Sequence, residues 1–280
     1  MYSTINTTQG AYHLKLVAEQ LARTIFLVGD QGRVHEISKY FDSIEHQVSN
    51  REFTTHTGYI GKERVSALST GIGTDNIDIT LNELDALFNT DLQTNTPFKK
   101  KSSLNLIRLG TSGTIRKEIE VDSLVVSSHG LGIDNLMYFY ANNQFDSELQ
   151  RAIEEQIVWP DSLSKPYIYA ADKYLLEKFS NLRQGITVTA PGFYAPQGRQ
   201  VCLPVSIENL HDQLRSFDYK CHKITNFEME TSALYGLGKL MGHRCLTICT
   251  ILANRATNKK STNYKKSINN MIETALGNLY

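Results

Sequence analysis

The chain has 280 residues, 41% of them hydrophobic, with 29 lysines and arginines set against 29 aspartates and glutamates. That length and apolar share are enough for the core of one large α/β domain or two small ones. The even charge balance argues against a nucleic-acid binder, which needs a basic face to neutralise phosphates, and gives no electrostatic reason to expect a membrane surface as partner.

Residues 1–11 are polar, with neither a cationic start nor an apolar core, and do not read as a secretory signal. The apolar stretch 246–253 is too short and too interrupted to cross a bilayer. Cys202, Cys221, Cys245 and Cys249 form no CxxC pair and have no histidine at ligand spacing. Reduced thiols, no metal site and a cytoplasmic location are therefore expected.

Residues 24–28 form a β-branched and apolar run that ends in Gly29-Asp30-Gln31-Gly32-Arg33. Val34, Ile37, Tyr40 and Phe41 then recur at the spacing of one helix face, so the order is strand, glycine turn, helix. Residues 53–60 and 64–69 read as two strands joined by a tight turn at Gly61-Lys62. The second runs into Thr70-Gly71-Ile72-Gly73. Ile77, Leu81, Leu84 and Phe88 then predict a helix capped by Thr74 or Asp75. Residues 89–103 are polar, contain Pro97 and the run Lys99-Lys100-Lys101, and read as a solvated loop.

Residues 104–109 return as a strand and end in a second glycine turn, Gly110-Thr111-Ser112-Gly113. A strand is expected at 121–127, helices at 147–158 and 172–179, and a strand at 185–189 that opens into Pro191-Gly192-Phe193-Tyr194. The pattern closes with a helix at 230–241 ended by Gly242, a buried strand at 245–252 and a helix at 268–279. No repeat, low-complexity tract or linker breaks the alternation. One α/β domain over residues 1–280 is predicted, a central mixed sheet flanked by helices. Three strands end in glycine turns on one edge of that sheet, where α/β folds place their ligands.

Three arginines stand beside turns or strand ends: Arg33, Arg51 and Arg108. A phosphate dianion needs permanently charged planar donors and backbone N–H groups left accessible by glycine. Gly29 with Arg33, and Arg108 with Thr111, both offer that pairing. Each arginine alone reads as an ordinary surface residue; two such pairs in one chain point to an anion site. In Phe193-Tyr194-Ala195-Pro196-Gln197-Gly198-Arg199, Gln197 and Arg199 project to one side of an extended loop. The Gln197 amide matches the edge of an amide-like ring, and Phe193 suits its face, although a plain polar loop fits the same residues. Asn226-Phe227-Glu228-Met229-Glu230 precedes an apolar helix. Its glutamates serve either the helix dipole or the vicinal diol of a ribose.

Taken in order, these segments resemble the nucleoside phosphorylase family that includes uridine phosphorylase. The marks are Phe26-Leu-Val-Gly-Asp-Gln-Gly-Arg33, Asn50-Arg-Glu-Phe53, Ser69-Thr-Gly-Ile-Gly73, Ile107-Arg-Leu-Gly-Thr-Ser-Gly113, Phe193-Tyr194 with Gln197 and Arg199, and Asn226-Phe-Glu-Met-Glu-Thr-Ser-Ala233. The resemblance covers nearly the whole chain and implies a nucleoside phosphorylase-like fold. It implies a phosphate site from Gly29, Arg33, Arg108 and Thr111, with Arg51 lent by a neighbouring subunit. By the same resemblance His13 would cross that interface to the ribose 5′-hydroxyl, and Glu230 would hold the 2′- and 3′-hydroxyls with Met229 packed on the sugar. Gln197 and Arg199 would bind the pyrimidine, with Phe193 on the ring and Gly113 giving close backbone approach.

Two further implications concern specificity and ions. At Ala253-Asn254-Arg255 purine-cleaving relatives place a Ser-Asp pair whose carboxylate protonates N7 of the base, so its absence here points to pyrimidines. Glu52 aligns with a residue that binds a monovalent cation between subunits in some relatives, but the pattern at Thr74-Asp75-Asn76 differs, and no cofactor is expected beyond inorganic phosphate as co-substrate. Gln31 stands where many relatives have Pro. A homodimer or homohexamer acting on nucleoside and phosphate is expected, as a pentosyltransferase in pyrimidine salvage with Arg108, Arg199, Glu230 and His13 carrying the chemistry. The rival readings are a nucleosidase or purine nucleoside phosphorylase on the same fold, or a nucleoside-binding protein without turnover.

Overall fold

The computed structural model describes residues 5–6, 10–142 and 144–280, with the backbone alone at Ile5 and Asn6. The reading of 1–11 as a polar lead falls largely outside the described residues. β1 (Ile5–Asn6) and β2 (Gly10–Ala11) pair antiparallel. They are followed by β3 (Thr24–Val28), α1 (Gln31–Ser38), β4 (Ser43–Asn50), β5 (Phe53–Ile60), β6 (Glu63–Ser69) and α2 (Thr74–Asn89). β7 (Thr90–Asp91) and β8 (Thr96–Pro97) form a small exposed hairpin in the segment read as a loop. β9 (Asn105–Thr114) and β10 (Leu124–Gly132) lead to α3 (Ser147–Gln156), β11 (Tyr167–Ala170), α4 (Lys173–Glu177) and β12 (Arg183–Thr189). α5 (Leu210–Ser216), β13 (Asp218–Tyr219), β14 (His222–Glu228), α6 (Thr231–Met241), β15 (Arg244–Asn254), β16 (Lys259–Lys260) and α7 (Tyr264–Leu279) complete the order.

One mixed sheet runs β13-β14-β12-β10-β15-β9-β3-β6-β5-β4, with β11 beside β10 and β16 beside β15. β9 is parallel to both β15 and β3, and β12 is parallel to both β10 and β14. β10 and β15 are antiparallel. β14 also pairs with β9, Phe227 opposite Gly113 and Asn226 opposite Thr114, so that β9, β15, β10, β12 and β14 close on themselves. This closure carries the tip of β9 to the tip of β14, and the candidate site is built there.

Helices cover both faces. Ile77, Leu81, Leu84 and Leu87 form the buried stripe of α2, which packs against α6 through Ala233, Leu234 and Leu237. On the other face Val34 and Ile37 of α1 and Ile268, Met271, Ile272 and Ala275 of α7 pack on β3, β9 and β15. A third cluster joins α3 and α5 to β12 and β14. α6 begins after Glu230 and ends at Gly242, which adopts φ 82° as its C-cap.

Four expectations need correction. Gly110-Thr111-Ser112-Gly113 is not a turn: β9 runs on to Thr114, held by β15 on one side and β14 on the other. The N-cap of α2 is Gly73, not Thr74 or Asp75, and its N–H donates to the Glu230 carboxylate at 2.8 Å. β4 was missed because it is an edge strand whose residues are mostly polar and half-exposed. β14 was missed because it carries Thr225, Asn226 and Glu228 into the interior, where each is hydrogen-bonded.

Candidate active site

Arg108 projects from the middle of β9 into a buried polar centre and is 5% exposed. Its guanidinium pairs with Glu230 and lies 3.1 Å from the Glu228 carboxylate, with Cys249 Sγ at 3.7 Å. Burial opposes the Arg108 charge, but the two carboxylates, Glu230 before Glu228, outweigh it and hold the guanidinium above its ordinary range. Burial is also the main influence on Glu230 and pushes its pKa up; Arg108 opposes that shift and Glu228 adds to it. An arginine does not surrender its proton in this range, so the guanidinium keeps its charge.

The two glutamates divide the work that their spacing leaves ambiguous. Glu228 accepts from the N–H groups of Glu230 at 2.9 Å and Thr231 at 3.0 Å, and from the Thr189 hydroxyl at 2.6 Å. It is the carboxylate that satisfies the start of α6. Glu230 instead joins Arg108 to the start of α2 through Gly73. Met229 lies between them, half-buried.

Arg33, in the first turn of α1, reaches the same centre. Its Nη1 donates to the Leu109 carbonyl at 3.1 Å, while its buried Nε has no hydrogen-bond partner. Burial first, and then the Arg108 charge, lower its pKa. Two coupled guanidiniums, one with an unsatisfied buried donor, make a site that favours an anion. Gly29 precedes α1, whose N-cap Asp30 accepts the Gly32 N–H at 2.9 Å, and Thr111 lies three residues beyond Arg108 on β9, opposite Thr250.

Further along β9, Gly113 faces Arg255, which follows β15. A Cβ at Gly113 would stand 3.1 Å from Arg255 Nε. Arg255 stacks over the Phe227 ring at 4.8 Å and donates to the Gln197 backbone carbonyl at 3.1 Å and to the Gln197 side-chain oxygen. Gln197 is buried, and its carbonyl also meets His211 Nε2 at 2.7 Å. Arg199 lies over the exposed Phe193 ring at 4.3 Å and over Tyr194 at 5.6 Å. Burial first, and then the positive charge of Arg199, lower the Arg255 pKa to about 10. Among the described residues no carboxylate is bonded to either arginine.

His13 and Arg51 form a separate group. Arg51 adopts φ 54° in the turn between β4 and β5, its carbonyl accepts from the Gln31 amide, and its guanidinium lies 6.0 Å from the exposed Tyr12 ring. The neighbouring Asn50 donates to the His13 carbonyl at 2.7 Å, and His13 pairs with Glu83 of α2. Among the described residues neither His13 nor Arg51 is bonded to Arg33, Arg108 or Glu230 of the same chain.

The structure brings Arg33, Arg108 and Glu230 together, with Gly29, Thr111 and Met229 near them in sequence, and gathers Gly113, Gln197, Arg199 and Phe193 around Arg255. Sequence reasoning missed Arg255 as the residue that holds Gln197. Arg255 had a signal, an arginine directly after a buried strand, but drew notice only for the acid missing beside it. All four cysteines are free, with Cys245 and Cys249 buried, and no group of three or more metal-ligating side chains occurs among the described residues. Beside Glu52, a Cβ at Gly71 would collide with the Asn76 amide nitrogen. Among the described residues no helix is long and apolar enough to cross a membrane.

Comparison with known proteins identifies the family. The phosphorylase superfamily profile matches residues 23–278. The uridine phosphorylase of Thermococcus kodakarensis is 29% identical over 255 residues, covering 89% of this chain and 79% of its own. A DeoD-type purine nucleoside phosphorylase of Brevibacillus brevis is 25% identical over 267 residues, covering 94% of this chain and 96% of its own. The crystal structure of a Trypanosoma brucei nucleoside phosphorylase with uridine phosphorylase activity superposes with a TM-score of 0.87 at 28% identity, over 98% of each chain. The chain belongs to the phosphorylase superfamily and, within it, to the nucleoside phosphorylases, which are pentosyltransferases.

Proposed function

We propose that this chain is a uridine phosphorylase, which cleaves the N-glycosidic bond of uridine with inorganic phosphate to give uracil and ribose 1-phosphate. The observation that carries the choice of base is the cationic far end of the site, where Arg255 and Arg199 lie close enough for one charge to lower the pKa of the other. Uracil departs as an anion and needs donors, whereas a purine is helped by an acid at N7. Within Ala253-Asn254-Arg255 the side chain of Asn254 is committed to the turn. Its amide donates to the carbonyls of Arg116 and Ile119, and its oxygen accepts from the N–H groups of Ala256 and Thr257.

In this reading phosphate binds at Gly29, Arg33, Arg108 and Thr111, and takes up the unsatisfied Arg33 Nε. A phosphate oxygen attacks C1′, the C1′–N1 bond breaks, and its electron pair leaves with uracil, which then takes a proton from water. The phosphate charge stabilises the oxocarbenium character at C1′, while Gln197, Arg199 and Arg255 stabilise the departing anion. Glu230 holds the 2′- and 3′-hydroxyls, Met229 packs on the sugar and Phe193 covers the base. Arg51 and His13 complete the site of a neighbouring copy, which makes the enzyme a homodimer or a higher assembly of dimers. Support for that arrangement is their separation from Arg108 and Glu230 of their own chain, together with the exposure of Arg51 and Tyr12. A cytoplasmic role in pyrimidine salvage, as one domain without a cofactor, belongs to the same proposal.

The test follows uracil release from uridine by the purified protein with and without phosphate, beside hypoxanthine release from inosine. Release that requires phosphate and yields ribose 1-phosphate is expected. Release without phosphate makes the protein a nucleosidase and removes the role given to Arg33. Faster cleavage of inosine overturns the choice of uridine, and tight binding without cleavage leaves a nucleoside-binding protein.

A further inference from the structure

Glu83 is a buried carboxylate on α2 that the reaction above does not use. It gathers three donors from one turn. The His13 N–H lies 3.0 and 3.1 Å from its two oxygens, the Leu14 N–H lies 2.9 Å from Oε2, and His13 Nδ1 lies 2.6 Å from Oε1. Asn50 ties the same turn from the other side through the His13 carbonyl. An ionised carboxylate can only accept, so the ring nitrogen it meets carries a proton. In the neutral ring Nε2 is then a bare acceptor. Nε2 has no hydrogen-bond partner among the described residues, on a side chain that is 25% exposed. Tyr12 at 4.8 Å and Phe53 at 6.3 Å, both edge-on, hold the ring plane.

We propose that Glu83 is a positioning residue for the sugar-binding histidine. It keeps His13 in the Nδ1–H tautomer and presents Nε2, across the contact between two copies, as the acceptor for the ribose 5′-hydroxyl. This inference rests on the reaction proposed above. Glu83 touches no substrate and acts only through His13, so its contribution is confined to nucleosides that carry a 5′-hydroxyl. A carboxylate that merely stabilised the fold would serve all substrates alike.

Glu83→Gln separates the two roles. Its amide oxygen still accepts from the backbone N–H groups, but its NH2 faces Nδ1 and moves the ring proton to Nε2. Ring 15N NMR at pH 8, with the His13 signals identified by their loss in His13→Gln, should show Nδ1 protonated and Nε2 bare in the wild-type protein, and the reverse in Glu83→Gln. In parallel, kcat/KM is measured with phosphate for uridine and for 5′-deoxyuridine. Glu83→Gln should lower the uridine value about tenfold, the scale of one hydrogen bond, and leave 5′-deoxyuridine within about twofold. In the His13→Gln background it should add nothing. Equal loss on both substrates overturns the inference, as does a wild-type ring protonated on Nε2, alone or together with Nδ1. A wild-type protein that cleaves no nucleoside with phosphate refutes the reaction instead, and the spectrum still decides the tautomer.

Discussion

The Arg108 guanidinium lies over Gly110, two residues further along the same strand, so closely that a Cβ there would stand 2.0 Å from Nη1 and 2.7 Å from Cζ. Residues two apart on a strand share a face, and a side chain at 110 would occupy the space that Arg108 fills. Gly113 stands in the same relation to Arg255, with a hypothetical Cβ 3.1 Å from Nε. The glycines of β9 are clearances for two guanidiniums, one at each end of the site.

Gly110→Ala should therefore act as an active-site substitution. The new methyl displaces the Arg108 head from Glu230 and Glu228, and a displacement on the order of 1 Å costs a positioned group about 100-fold in rate. Crowding a close-packed site also destabilises, by about 1–3 kcal/mol. The expected result is a fall of about 100-fold in kcat/KM for phosphorolysis, in a protein that still unfolds in one cooperative transition. Kinetics within about twofold of wild type would show that Arg108 has another route to phosphate.

Arg108→Ala removes the cation from between two buried carboxylates. Turnover should fall by about two to three orders of magnitude, the scale of losing a charged group that meets the developing charge. Stability should also fall, by about 3–5 kcal/mol near neutral pH, because breaking a buried pair leaves uncompensated charge. The sign of the pH effect follows from burial and from Glu228, both of which already push Glu230 upward. A carboxyl whose folded pKa exceeds its unfolded value contributes most below the unfolded pKa and loses that contribution as pH rises through the folded one. The deficit of the variant should thus narrow between pH 7 and pH 5 in urea unfolding. A deficit that widens on acidification would place the unpaired charge elsewhere.

The legible parts of this fold are those where one residue type has one use. The spacing of Ile77, Leu81 and Leu84 has no reading other than a helix face, and the runs that form β3, β5 and β6 carry enough β-branched, aromatic and apolar residues to be strands. Ambiguity begins where one residue serves several purposes. A glycine that opens a turn and a glycine that makes room for a guanidinium look alike until the strand pairing is known. Glu228 and Glu230 are two carboxylates two residues apart, and only the closure of β14 on β9 decides which one starts α6 and which one meets Arg108. Glu83 sits beside the apolar stripe of α2, and its partner is 70 residues away in sequence. Contacts of that kind leave no local pattern.

Arg255→Met tests the base end. The guanidinium fixes the Gln197 amide by binding its oxygen, so that the amide NH2 remains for a substrate carbonyl. Methionine keeps much of the packing over Phe227 and removes the charge. Uridine kcat/KM should fall by about 10–100-fold, consistent with the loss of a hydrogen bond to a charged group. The loss should appear mainly in kcat, because the charge on uracil develops in the transition state. A rise in KM at constant kcat would make Arg255 a ground-state binding residue and remove its part in leaving-group stabilisation.

Acid stability should depend on a pair remote from this chemistry. His129 of β10 stands edge-on to His222 of β14 with ring centroids 5.0 Å apart. Burial first, and then His222, lower the His129 pKa from 6.5 to about 4, against a smaller opposing pull from Asp146. Between those values the unfolded chain binds a proton that the folded protein refuses. The contribution of a neutral His129 is therefore complete above about pH 6.5 and is lost as pH falls toward 4. The full shift is worth about 3 kcal/mol as an upper bound. Urea unfolding at pH 7 and pH 4.5 should show the loss, and His129→Gln, which keeps a polar group but cannot take the proton, should lose distinctly less over the same interval. An unchanged difference between the two pH values in that variant would assign the acid sensitivity to other groups.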